Sequence, residues 1–139
     1  MDEKLHVALI NTLSAHKKRG RQEFQALNLS DGQPKVLCHL YENDGMVQKE
    51  LARVCQVEPA TMTALLRRLT DDGLVRKETV YISGGKRAFG IFLTESGRNC
   101  AEKVNEIVDA LEDISFKGFT ALEKNNLYHM LQRITDNLL

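Results

Sequence analysis

The sequence contains no run of about 18 consecutive apolar residues, the length a membrane-spanning helix needs, and its opening, MDEKLHVALI, lacks the apolar block of a secretory signal. The expectation is a cytoplasmic protein with no membrane partner. Cysteine is scarce: Cys38, Cys55 and Cys100 are widely spaced, odd in number and free of any C-x-x-C pair. Neither a disulfide framework nor a zinc knuckle is suggested, and buried, inert thiols are expected. His6, His16, His39 and His129 show no metal-ligand spacing, so no metal or other cofactor is expected. Catalytic signatures are missing too, with no P-loop, no G-x-S-x-G and no H-E-x-x-H. Gly85-Lys86 has neither the upstream glycine nor the following hydroxyl residue of a P-loop. An enzyme is not expected.

Net charge is absent as well, with 19 basic and 19 acidic side chains and a pI near 6.9. A uniformly basic nucleic-acid binder is excluded, but the distribution is uneven. Residues 1–45 carry six basic and six acidic groups, residues 46–98 nine and six, and residues 99–139 four and seven. Positive potential is therefore concentrated on the middle third, where a polyanion would be met.

What is present is a chain of 139 residues, 42% hydrophobic, enough for one domain with a core of its own. Leu5, Leu9 and Leu13 recur at helical spacing in residues 3–27, interrupted by the basic run Lys17, Lys18, Arg19, Arg21. Ser30 with Gln33 has the form of a capping box and predicts a second helix through Val36, Leu37, Leu40 and Tyr41, halted at Asn43-Asp44-Gly45. A short helix over 47–54 follows. A turn at Gln56-Val57 leads to a further helix opened by Glu58-Pro59 and running to Asp72, proline being suited to the first helical position. From Leu74 the period changes toward two. Leu74 to Ile82 and Ala88 to Leu93 predict a hairpin whose tip, Ser83-Gly84-Gly85-Lys86, uses glycine for positive φ. Thr94 caps a helix to about Ser115, and Thr120 with Glu123 opens a last one through Leu138.

Helix, tight turn, helix, glycine-tipped hairpin is the order of a winged helix-turn-helix, whose second helix enters the major groove. Met62, Leu65, Leu66 and Leu69 form that helix's apolar stripe. Ala60, Ala64, Arg67 and Asp71 lie opposite it, flanked by Thr61, Thr63, Thr70 and Arg68. Alanine and threonine let the backbone sit deep and touch thymine methyls, and Arg67 suits bidentate reading of guanine. Arg68 is a second candidate contact, although either arginine is alternatively an ordinary solvated helix residue, with or without an ion pair to Asp71 or Asp72. Lys86 and Arg87 on the hairpin suit a narrow minor groove or phosphates. Gln48 suits a phosphate through its amide and the helix N-terminus.

Gln48-x-x-Leu51-Ala52, Pro59-Ala60-Thr61-Met62-Thr63, Arg68-Leu69, Gly73-Leu74-Val75 and Lys86-Arg87, followed by Phe89-x-Ile91-x-Leu93-Thr94-x-x-Gly97-Arg98, resemble the MarR family of bacterial and archaeal regulators. The resemblance spans nearly the whole chain and implies a mainly α fold with a small β-hairpin. It implies a winged lobe (30–98) flanked by interleaved dimerisation helices (1–29 and 99–139), and control of genes for drug efflux, aromatic catabolism or stress response. Ala64 and Arg67 stand where the family often has arginine and aspartate, which moves base reading one turn along. Gly85 replaces an aspartate that braces the wing arginine in many members. No cysteine precedes Cys38, which argues against a peroxide sensor.

A single module of this size makes too few contacts for tight operator binding, so a homodimer is expected on a pseudo-palindrome of double-stranded DNA, its recognition helices about 34 to 36 Å apart. Leu5, Leu9, Leu13, Phe116, Phe119, Leu127, Met130, Leu131, Ile134 and Leu138 are the candidate dimer surface, being more apolar area than one winged module can cover. The resemblance also implies a small aromatic or anionic effector between dimer helices and winged lobe. Lys17, Arg21 and His39 are anion contacts such a cleft would offer, but the sequence favours leaving them in solvent and no site is assigned to them. The expected function is sequence-specific transcriptional regulation, with repression as the favoured outcome. The alternative is a winged helix that binds protein or RNA and shows only weak, sequence-independent affinity for DNA.

Overall fold

The computed structural model describes residues 4–139, so the first three positions of the expected dimerisation segment 1–29 lie outside the described residues. Among the described residues, six helices surround a three-stranded antiparallel sheet: α1 (Leu5–Gln25), α2 (Gln33–Glu42), β1 (Met46–Val47), α3 (Gln48–Cys55), α4 (Pro59–Asp71), β2 (Val75–Tyr81), β3 (Arg87–Leu93), α5 (Glu95–Ser115) and α6 (Ala121–Leu138). The sheet order is β1-β3-β2. No helix among these residues is long and apolar enough to cross a membrane.

The core follows from one-sided helices closing on the sheet. Val36, Leu37 and Leu40 of α2, Leu51 of α3, Met62 and Leu69 of α4, Ile91 of β3 and Val104 of α5 are all at most 1% exposed. Each fully buried aliphatic side chain contributes about 1.5 to 3 kcal/mol relative to exposure, so these eight decide where α2 to α5 lie against the sheet.

Three expectations are corrected. The capping box does not start α2 at Ser30. Gln33 does reach back, its Oε1 accepting from Ser30 N at 2.8 Å, but Gly32 at φ 88° breaks the helical run and becomes the N-cap. Pro34 then falls within the first turn, where its missing N–H leaves no helical bond unmade. The second correction is β1, which the sequence reading omitted; Met46 and Val47 pair with Ile91 and Gly90, delaying α3 to Gln48. Third, of the cysteines only Cys55 is fully buried, whereas Cys38 and Cys100 are half-buried. Leu65 in the α4 stripe is likewise only half-buried.

One junction ties the hairpin to the helices. Thr94 caps α5, its Oγ1 accepting from Gly97 N at 3.0 Å while donating to the Gly73 carbonyl at 2.6 Å. Gly97 is buried because the Leu74 carbonyl crosses directly over it; a Cβ there would stand 1.8 Å from that oxygen. Asp44 secures the other side, accepting from Leu93 N at 2.8 Å and bridging Arg98 at 3.3 Å. The resemblance motif Leu93-Thr94-x-x-Gly97-Arg98 is thus a packing device, each of its four named residues taking part in a contact of the junction.

Two outcomes are expected. Gly97→Ala forces the β2 approach apart and should cost about 2 kcal/mol or more, read as a fall in the thermal unfolding midpoint; an unchanged midpoint would contradict the close approach. Cys38 donates to Asn105 Oδ1 at 3.3 Å, and burial, with a smaller push from Glu42, raises its thiol to about 11. At pH 8 that leaves about one thiolate in a thousand. Iodoacetamide should therefore label Cys38 far more slowly in the native chain than in guanidinium, and equal rates would show an accessible thiol.

Candidate nucleic-acid interface

The turn between α3 and α4 is tight because Gln56 takes a left-handed conformation at φ 55° as the α3 C-cap. Glu58 then caps α4 in extended geometry and Pro59 begins it. Met62, Leu66 and Leu69 are buried, which rolls the opposite face outward. Ala60, Thr61, Thr63, Ala64, Arg67 and Arg68 are all exposed.

The structure sorts these side chains. Gln48, the first residue of α3, donates through Nε2 to Thr63 Oγ1 at 3.2 Å, and Thr63 donates in turn to the Pro59 carbonyl at 3.1 Å. Two residues singled out separately in the sequence therefore form one brace between the paired helices. Gln48 is half-buried, and its Nε2 is engaged in this brace while its Oε1 has no partner among the described residues. Arg67 has no ion-pair partner among the described residues, whereas Arg68 donates through Nη1 to Ser30 Oγ at 3.2 Å. Neither arginine pairs with Asp71 or Asp72. Arg67 therefore stands as an exposed, solvated side chain, and Arg68 is held by the Ser30 hydroxyl instead of a carboxylate.

Strands β2 and β3 carry the hairpin beyond the body of the fold. Its tip, Ser83–Gly85, is a single tight turn with Gly84 and Gly85 at φ 82° and 74°. Lys86 and Arg87 are exposed, and Arg87 opposes Tyr81 in the register. Arg87 therefore shares a sheet face with Phe89, Ile91 and Leu93, the last two of which pack into the core. The sequence reading missed Lys77 on this same face. Its Nζ lies 4.7 Å from the Phe89 ring centre, and with Lys49 it borders a cavity of about 610 Å³ between α3, α4 and the hairpin. In the observed register Lys77 lies opposite Ile91, whereas a pairing that starts from the predicted strand ends at Ile82 and Ala88 would set it opposite Leu93. Lys49 and Lys77 thus border one cavity, and Arg87 lies on the sheet face that carries Lys77.

A second cavity, of about 740 Å³, lies between α1, α2 and α4. Lys17 and Arg21 border it, but Asp31 occupies both: Arg21 donates to its two carboxylate oxygens at 3.1 and 2.6 Å, and Lys17 stands at 3.8 Å. The Arg21 guanidinium holds the Asp31 carboxyl below the usual carboxylate range. His39 does not line this cavity.

The ends of the chain leave apolar surface uncovered. Leu5 is 88% exposed and Leu138 77%, and α6 has no buried residue along its whole length. Leu13, Phe119, Met130, Leu131 and Ile134 are exposed, while Leu9, Phe116 and Leu127 are half-buried. Phe116 and Phe119 meet edge to face at 5.8 Å. The capping box at Thr120 forms with both of its hydrogen bonds, so α6 is well begun yet unpartnered.

This geometry agrees with comparison to known proteins. The MarR family signature matches residues 29–79. An HTH-type transcriptional repressor of Mycobacterium bovis, Mb2911, is 30% identical over 73% of each chain. An uncharacterised HTH-type regulator of Bacillus subtilis, YybA, is 28% identical over 84% of this chain and 76% of its own. Among solved structures, a MarR family regulator from Listeria monocytogenes complexed with a 26mer DNA superposes with a TM-score of 0.83 at 25% identity, covering 99% of this chain and 90% of that one. Helix order, the buried seam of α4, the Thr94–Gly97 junction and these likenesses agree, and the chain belongs to the MarR family.

Proposed function

We propose that this protein is a transcriptional regulator, acting as a repressor, that binds a pseudo-palindromic operator in double-stranded DNA as a homodimer. The observation that carries this reading is the outward face of α4: small residues Ala60 and Ala64 beside an exposed, unpaired Arg67, flanked by hairpin cations. Small side chains allow the helix to approach the groove floor, and a free guanidinium is pre-organised for guanine O6 and N7. Thr61 and Thr63 add methyl contacts; Gln48 acts through Thr63, and Arg68, Lys86 and Arg87 supply phosphate or minor-groove contacts. Net positive charge on residues 46–98, nine basic against six acidic groups, favours the same face. The transcriptional regulators among its relatives, including the repressor from Mycobacterium bovis and the DNA-bound protein from Listeria monocytogenes, support the assignment.

The division of labour is a winged lobe over 30–98 and dimerisation helices before and after it. The apolar residues left exposed on α1 and α6 are the surface for a second copy. The cavity between α1, α2 and α4 suits a small aromatic or anionic effector. Its floor is apolar, and its cations are held by an exposed carboxylate that an incoming anion can displace. Regulation then acts by a difference in affinity of the two ligand states for operator.

Arg67→Ala should flatten preference at one base position per half-site, removing about 1 to 3 kcal/mol of discrimination. Lys86→Ala should weaken operator and random DNA alike and lower the salt slope by about one. Both are read by titrating fluorescent duplexes, the operator having been selected from random DNA; equal losses on both duplexes for both variants would refute the division of roles. Leu131→Glu should yield a monomer by light scattering and lose tight operator binding. A dimer that persists would remove α6 from the subunit interface.

A further inference from the structure

Arg68 does not stand free on α4. It lies on the flank that carries Thr61 and Leu65, one helical turn apart along the helix, and its Nη1 donates to Ser30 Oγ at 3.2 Å across 38 positions of sequence. Ser30 is itself held from two directions. Its backbone N–H and its hydroxyl both donate to Oε1 of Gln33, at 2.8 and 3.2 Å, and the Gln33 side chain is fully buried. The next residue, Asp31, is gripped by Arg21 of α1 through both carboxylate oxygens. Gly32 then lies against Leu65, whose Cδ1 would be 3.1 Å from a Cβ at that position. The segment from Ser30 to Gly32 is thus fastened to α1, α2 and α4 at once.

We infer that Ser30 is a positioning residue for DNA binding, holding the Arg68 guanidinium at the edge of α4 so that its remaining N–H groups meet a backbone phosphate. An arginine has five N–H donors in a rigid planar fork. One of them spent on Ser30 sets the plane, and the others stay available at the rim of the recognition face. A long side chain that is already oriented loses less rotamer freedom when the phosphate arrives. Because the same turn carries Asp31, the orientation of Arg68 is tied to the α1 wall of the second cavity.

This inference rests on the DNA-binding reading, and its test separates the two. Binding of operator and random duplexes is measured for the wild-type chain and for Ser30→Ala, Ser30→Thr, Arg68→Ala and the Ser30→Ala/Arg68→Ala pair, with Arg67→Ala as control. Exchange of the Arg68 guanidinium protons is followed by NMR in the free protein. Ser30→Ala should weaken both duplexes by about threefold and speed that exchange, Ser30→Thr should restore both, and Ser30→Ala should add nothing once Arg68 is alanine. Wild-type affinity in Ser30→Ala, or a loss that persists in full without Arg68, overturns the positioning role even where Arg67→Ala shows the expected loss of preference. Absence of any operator preference in the wild-type chain together with no effect of Arg67→Ala overturns the DNA-reading assignment itself, and the positioning role with it.

Discussion

The burial of one side of α4 is the constraint from which the rest follows. Met62, Leu66 and Leu69 are driven into the core cluster that also holds Leu37, Leu40, Leu51 and Ile91 because each is apolar and the interior excludes water. A helix so anchored cannot rotate about its axis without exposing those side chains, at a cost of several kcal/mol. The positions of Arg67, Ala60 and Ala64 are therefore consequences of oil on the reverse face. Nothing polar needs to aim them.

The hairpin depends on a different kind of contact. Hydrogen bonds at Thr94 and Asp44, with the close passage of the Leu74 carbonyl over Gly97, fasten its base to α5 and to the turn after α2. Its outer half makes no such contacts, and the tip glycines leave Lys86 and Arg87 exposed. A rigid base with a glycine tip suits an arm that follows a groove whose width varies with sequence. The two halves of the candidate interface thus differ in stiffness for reasons visible in their chemistry.

Much of this was legible in the linear chain where the determinants are local. Thr94 and Thr120 announced α5 and α6, whose observed starts match their caps, and Glu58-Pro59 announced α4. The exposed face of α4 followed from spacing alone. What escaped had non-local causes. Strand β1 has two residues and no periodicity of its own; it exists because Ile91 and Gly90 of β3 present free backbone partners. The start of α2 was misplaced because the Ser30–Gln33 side-chain bond is real but the backbone between them turns left-handed at Gly32. Lys77 was overlooked because its neighbours come from α3, α4 and β3 together.

The amino-acid order determined the sequence of elements, the side of each helix that would be buried and the winged helix-turn-helix class, since caps, glycine turns and apolar periods act over a few residues. Only the folded chain decided which polar groups would meet. Arg68 found Ser30 rather than Asp71 or Asp72, Arg21 found Asp31, and Gln48 found Thr63. Such pairs lie ten to 38 positions apart, and no local rule selects among their alternatives. Packing of the core settles the backbone positions first, and long polar side chains then take the nearest partner that geometry leaves open.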